Sequence, residues 1–407
     1  MNPRGLLLVC LTICVSTTGC TQEPAKTKSD NTAPKEKPAS PIAVTSAAAG
    51  NVMLLDRGDL SLIQTVEPDK PGSSPGPMLV AEDKVRRVFY VGNFNGGLGR
   101  IPMDGGKPGS LDLGGVLIGV SLSPDGKLLA VNGARDLTLR LVDPDNWKLV
   151  TSYRFGTPTD PPLHTPLTHG LASTHPVWLR DGSGVLVQDN IHEEVILIGR
   201  DGKEKARRRL RTAAHTYLTT STGEILALVE GTIDGKNLPG VVVLDGPSLK
   251  IVREITVPLT PNEPAKLHHG VLSPDEEIVV VANMGPMHGD NYGTTVAALE
   301  WRTGKVLWHV PTVRNAGHVR FLDAERVIVL GHRDPSLAIL DVKTGKQRET
   351  WKVPGATSLG HSLGEEAGGT VLVIDTSAGR LVRVASDGIK NQSPNLGKEV
   401  AESSLTE

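Results

Sequence analysis

One phrase recurs along this chain and restricts its fold more than any other feature. A short strand, a turn such as Ser123-Pro124-Asp125-Gly126, an apolar strand, a loop, and a hairpin such as Asp341-Val342-Lys343-Thr344-Gly345-Lys346 follow one another from about Asn51 onward. Apolar runs at 128–131, 185–187, 225–229, 278–282, 327–330 and 371–374 fall once per repeat, and helical periodicity is almost absent. Aligning the turns places equivalent positions at Pro77, Gly119, His175, His215, His269, His318 and His361, between 40 and 56 residues apart. Four short strands per unit at such a period is the pattern of a β-propeller, whose radial blades bury their faces against each other. The chain is therefore expected to be all-β, a seven-bladed β-propeller over residues 49–390, with eight blades as the alternative. At least one of the strands expected at 51–55 and 60–66 is predicted to complete the final blade beside the strands that follow His361.

The first residues address the chain. Arg4 is followed by an apolar run over 6–15 and then by Thr17-Thr18-Gly19-Cys20, which reads as a secretory signal over residues 1–19. About ten apolar residues fall short of the roughly twenty that a membrane-crossing helix needs. The small residues before Cys20 resemble the lipobox of bacterial lipoproteins, which implies lipidation at Cys20. Thr17 stands where that motif usually carries an aliphatic residue, and ordinary secretory cleavage is the alternative. The expectation is an exported protein of the bacterial cell envelope, facing the periplasm and held at a membrane by a lipid anchor. Residues 20–48 carry few large apolar side chains and read as a disordered linker, and 391–407 as a polar tail.

Composition removes several kinds of chemistry. Cys10 and Cys14 lie inside the signal, so no cysteine follows Cys20. That excludes disulfides, thiolate ligands, covalent haem attachment and thiol nucleophiles in the folded part. A net charge of −2 with no clustered basic domain gives no case for nucleic acid, and the short run Arg207-Arg208-Arg209-Leu210-Arg211 reads as a solvated turn and strand. Gly96-Gly97-Leu98-Gly99 has no helix pattern after it, so no nucleotide is expected. No G-x-S-x-G elbow or paired-carboxylate spacing is present to suggest a hydrolase.

Ten of the twelve histidines map to one face of the expected disc. His175, His215, His269, His318 and His361 are placed at the start of each blade's innermost strand, pointing into the mouth of the central channel, with His268 adjacent. His192, His288 and His332 fall in loops that open on the same face, beside Asp189, Asn190, Asn283, Asp290 and Asp334. His164 and His169 lie in a long insertion before His175, and His309 on an outer strand reads as structural. Converging neutral imidazoles suit zinc or copper, and carboxylates or amides beside them fix their tautomers. The competing reading is structural, because WD-repeat propellers bury a Gly-His pair that Gly317-His318 and Gly360-His361 resemble. No Trp-Asp dipeptide accompanies it, and His175, His215 and His269 lack the glycine.

The repeat phrase, for example Gly270-Val271-Leu272-Ser273-Pro274-Asp275, resembles the YVTN-type family and, more loosely, the propeller domain of cytochrome-type nitrite reductases. The histidine ring resembles the nitrous oxide reductase propeller, which holds a copper cluster, and a family of periplasmic zinc-chaperone propellers, whose channel motif His268-His269-Gly270-Val271 looks like. These resemblances imply metal binding, with zinc or copper at some of the ring histidines, and storage or delivery to a metal transporter. The first alternative is a copper- or cofactor-dependent oxidoreductase with a redox partner protein. The second is a non-catalytic interaction propeller.

Overall fold

A computed structural model describes residues 40–396, apart from 47–49, 68–76, 158–172, 174, 233–235, 262, 265, 286–291, 333 and 367. The signal, Cys20, most of the linker, His164, His169 and His288 lie outside the described residues. None of the described residues is helical, so among them no helix is long and apolar enough to cross a membrane.

The chain forms eight antiparallel sheets in succession, seven of them four-stranded and the first three-stranded. They are the blades of an eight-bladed β-propeller. Blade 1 comprises Ile42–Ser46, Asn51–Leu55 and Leu62–Val66. Blades 2 to 8 occupy 77–112, 117–154, 177–209, 214–256, 267–311, 316–352 and 359–392. First strands approach one another between blades 2 and 3, 3 and 4, 5 and 6, 6 and 7, and 7 and 8, around the central channel. Second strands are buried on both faces by the blades at either side, so they read as unbroken apolar runs such as Val327, Ile328, Val329 and Leu330, all without exposed surface. Fourth strands meet solvent and carry polar residues, as in Gln347–Lys352.

Each turn between first and second strands is locally specified. In blade 3 the Ser123 hydroxyl donates to Asp125 Oδ1 at 2.7 Å, and Gly126 N–H donates to the Ser123 carbonyl at 2.8 Å. Gly126 has φ +69° there, a left-handed conformation that suits glycine.

Of the two blade counts the sequence allows, eight is the one found, while closure differs from the expectation that the termini share one blade. The final blade is complete without the N-terminal strands, in the order Leu359–Glu366, Thr370–Asp375, Arg380–Ala385, Gly388–Gln392. The N-terminal strands form a blade of their own that begins at Ile42, earlier than residue 49. Ile42, Ala43 and Val44 are fully buried, a short apolar run that its polar surroundings in the sequence conceal.

The strands of blade 1 correspond to the second, third and fourth of the others. Asp56 N–H donates to the Ser61 carbonyl and Leu60 N–H to the Asp56 carbonyl, with Leu60 at φ +65°. Asp245 and Leu249 make the same pair of bonds between the third and fourth strands of blade 5, with Leu249 at φ +53°. The described residues therefore include no innermost strand for blade 1.

Ring closure is non-covalent. Ile42, Val44, Met53 and Leu55 of blade 1 pack on Leu372, Ile374 and Leu381 of blade 8. At the same seam Arg57 Nη1 and Arg383 Nε donate to Glu366 at 3.1 and 2.6 Å. Arg383 also donates to the Gly58 carbonyl at 2.9 Å.

Candidate metal centre

The innermost strands reach the channel mouth through a β-bulge. In blade 6 Leu267 faces Asn283 and His269 faces Ala282, leaving His268 as the extra residue. Blade 5 repeats this with His215 between Ala214 and Thr216, and blade 7 with Gly317 between Ala316 and His318. Blade 3 places Ile118 there. A bulge sets two residues opposite one and breaks the strand's alternation, so His268 and His269 both approach the same opening. Their ring centroids are 4.3 Å apart.

The register refines the alignment read from the sequence. His269 and His318 are equivalent, but His215 is level with His268, and Thr216 is level with His269. His175 lies four residues before Leu179, whose N–H opens the turn, as His269 lies four before Ser273. Chains of imidazoles nevertheless meet. His215 lies 6.1 Å from His175, 4.1 Å from His268 and 5.3 Å from His269, between ring centroids. His318 lies 3.6 Å from His269 and 5.6 Å from His268.

Among these, one ligand atom each from His215, His268 and His269 lies within 4.8 Å of the other two. Nitrogens bound to one tetrahedral zinc or copper ion at 2.0–2.1 Å stand about 3.4 Å apart. Closing the triad on an ion thus needs shifts of about 1 Å, within reach of small ring rotations. Three imidazoles leave a fourth position, beside which His318 sits. The residues fit a nitrogen-coordinated transition metal.

Hydrogen bonds couple the two strands. Thr216 Oγ1 donates to the His268 carbonyl at 2.8 Å and lies 3.4 Å from His269 Nδ1. His215 Nδ1 is 3.3 Å from the same hydroxyl. Burial lowers the His175 pKa to about 4. His215 is held well below the usual imidazole range, first by burial and then by the charge of Lys266 and by His175. A hydrogen bond to the His268 carbonyl opposes this. Both rings are therefore neutral at pH 7, the form that ligates.

Two charged residues at this rim escaped the sequence reading. Lys266 is fully buried, with Nζ 3.8 Å from Glu230 Oε1. Burial pushes the Glu230 carboxyl up, against the pull of Lys266. Alternation along a strand offers a signal for Lys266, two residues before His268. Glu230 follows the second strand of blade 5 directly, as His332 follows that of blade 7.

The remaining candidates are placed as follows. His332 is buried at the same rim, its N–H donating to the Asn315 carbonyl at 2.9 Å. His192 is exposed, with Nδ1 2.7 Å from Asp189 Oδ2 in the turn after the second strand of blade 4. His361 lies in the strand Leu359–Glu366, and its side chain is outside what the structure describes. His309 is half-buried on the outer strand Lys305–Pro311.

No protein family and no curated protein matches the sequence. Solved structures do match in shape. The dihydro-heme d1 dehydrogenase NirN, in complex with DHE, is 15% identical with a TM-score of 0.66, over 90% of this chain and 77% of that one. The C-terminal WD40 domain of Sif2 is 10% identical with a TM-score of 0.62, over 87% and 92%. BamB from Moraxella catarrhalis is 13% identical with a TM-score of 0.58, over 78% and 88%. At these identities the likeness is one of fold: the chain is a β-propeller that resembles propellers of varied function.

Proposed function

We propose that this chain is a metal-binding β-propeller lipoprotein of the bacterial cell envelope, anchored through Cys20, that stores or delivers a transition-metal ion. The observation that carries the reading is the meeting of His215, His268 and His269 within 4.8 Å at the channel mouth. A neutral His215, a bulge that presents two further imidazoles from one strand, and a hydroxyl beside all three are the features of a ligand set. The mature part contributes no thiol for electron relay, which favours binding over redox turnover, and a metal transporter is the partner that delivery requires.

The test is metal content by plasma mass spectrometry on the full chain exported to a periplasm, beside its His215/His268/His269 triple alanine variant. About one zinc or copper ion per chain, lost from a variant that still gives the β-rich circular dichroism of the parent, is the expected result. No metal in the parent after reconstitution with either ion would leave an interaction propeller as the better reading.

A second reading is a cofactor-dependent oxidoreductase, in which a channel histidine would hold the cofactor. Its support is the similarity to the dihydro-heme d1 dehydrogenase in complex with DHE. Strong visible absorption in the exported protein, lost when His268 and His269 are replaced, would select it.

A further inference from the structure

The bulge position holds His215 in blade 5 and His268 in blade 6, but in blade 7 it holds Gly317. The space such a side chain would take is filled from elsewhere. A Cβ placed on Gly317 would stand 3.3 Å from Met284 Sδ and 3.8 Å from His332 Cβ. Met284 is fully buried and His332 nearly so. Both are held by one residue: the Asn315 amide donates to the Met284 carbonyl at 3.2 Å, and the Asn315 carbonyl accepts from His332 N–H at 2.9 Å. Met284 N–H also donates to the Lys266 carbonyl at 3.1 Å, on the strand that carries His268 and His269. His318, the residue after Gly317, has its ring centroid 3.6 Å from that of His269.

We infer that Met284 and His332 form a thioether–imidazole arm of the metal centre, and that this arm makes copper(I) its preferred ion over zinc. The inference rests on the metal-binding reading above. A thioether is soft and neutral and selects copper(I), whereas zinc sites are built from imidazole, carboxylate and thiolate. Glycine at the bulge is what admits the sulfur. A side chain there would press its Cβ on Met284 Sδ at 3.3 Å and displace the sulfur by a few tenths of an ångström.

The experiment uses the full chain, loaded anaerobically with copper(I) from its bicinchoninate complex or with zinc alone. Wild type, Met284→Leu and Gly317→Ala are compared by competition titration and by copper-edge X-ray absorption. The expected result is sulfur bonded to copper in wild type and absent in Met284→Leu. Copper(I) affinity should fall about tenfold or more in both variants while zinc affinity holds within about twofold. Leucine is close to methionine in volume, and thermal melting of each variant checks that the fold is retained. Copper bound through nitrogen alone, with unchanged affinity in Met284→Leu, would overturn the thioether arm and leave the histidine centre standing. Failure of wild type to bind either ion would overturn the metal-binding reading, and the arm with it.

Discussion

At the scale of single residues, His175 and His215 at the channel mouth are kept neutral by burial. His175 has its pKa lowered to about 4 by burial, against about 6.5 in an unfolded chain. Between those values the unfolded state binds the extra proton and the folded state does not, so stability rises with pH across that window. In the metal-free protein the contribution is fully present above about pH 6.5 and lost as pH falls toward 4, on the order of 3 kcal/mol for this one group. Urea midpoints of the chelator-treated chain should therefore drop from pH 7 to pH 4.5, and His175→Gln should flatten that slope. An equal slope in the variant would place the proton elsewhere. The histidines themselves were legible in the sequence because turn spacing fixes where each blade begins. Which of them meet was not, since a one-residue bulge moves His215 level with His268 and leaves no mark in the hydrophobic pattern. Met284 was invisible for a related reason: its place beside the bulge glycine Gly317 comes from the folded register and leaves no mark in the sequence.

At the scale of elements, the blade explains the repeat better than the repeat explains the blade. Second strands are sandwiched between neighbours, so their composition is apolar on both faces and easily found. Outer strands carry no such demand. Val329, fully buried in the second strand of blade 7, and Val252, 60% exposed in the outer strand of blade 5, test the distinction. Val329→Ala should cost about 2 to 3 kcal/mol through lost burial and a residual cavity, and Val252→Ala within about 0.5 kcal/mol, by chemical denaturation. Similar costs at both sites would contradict the layered burial. The first blade escaped the turn alignment because its described strands offer a third-to-fourth turn at Asp56–Leu60 and no Ser-Pro-Asp-type turn to set the register. Without an innermost strand to count, its remaining strands were assigned to the blade at the other end of the chain.

At the scale of the whole molecule, blades 8 and 1 meet with no covalent link, and their seam depends on an apolar face and a small ionic group. Glu366 accepts from Arg57 and Arg383 together, and its side chain is only 9% exposed. Glu366→Gln should lower stability by about 2 kcal/mol, because the Arg383 guanidinium loses its carboxylate and Arg57 keeps only Glu82, 3.9 Å away. Amide exchange should then quicken first in Ile42–Ser46 and Thr370–Asp375, by mass spectrometry of peptides, with the strands of blades 5 to 7 unaffected. Uniform quickening around the ring would show that the seam is no weaker than any other junction. The inner-strand bulge has a wider consequence. The same backbone site recurs from blade to blade and carries Ile118, His215, His268 or Gly317, while the packed faces behind it stay as they are. The channel mouth therefore works like a socket with exchangeable pins, in which one codon change adds or removes a donor atom, and such proteins can drift from one ion to another without rebuilding the blades that hold it.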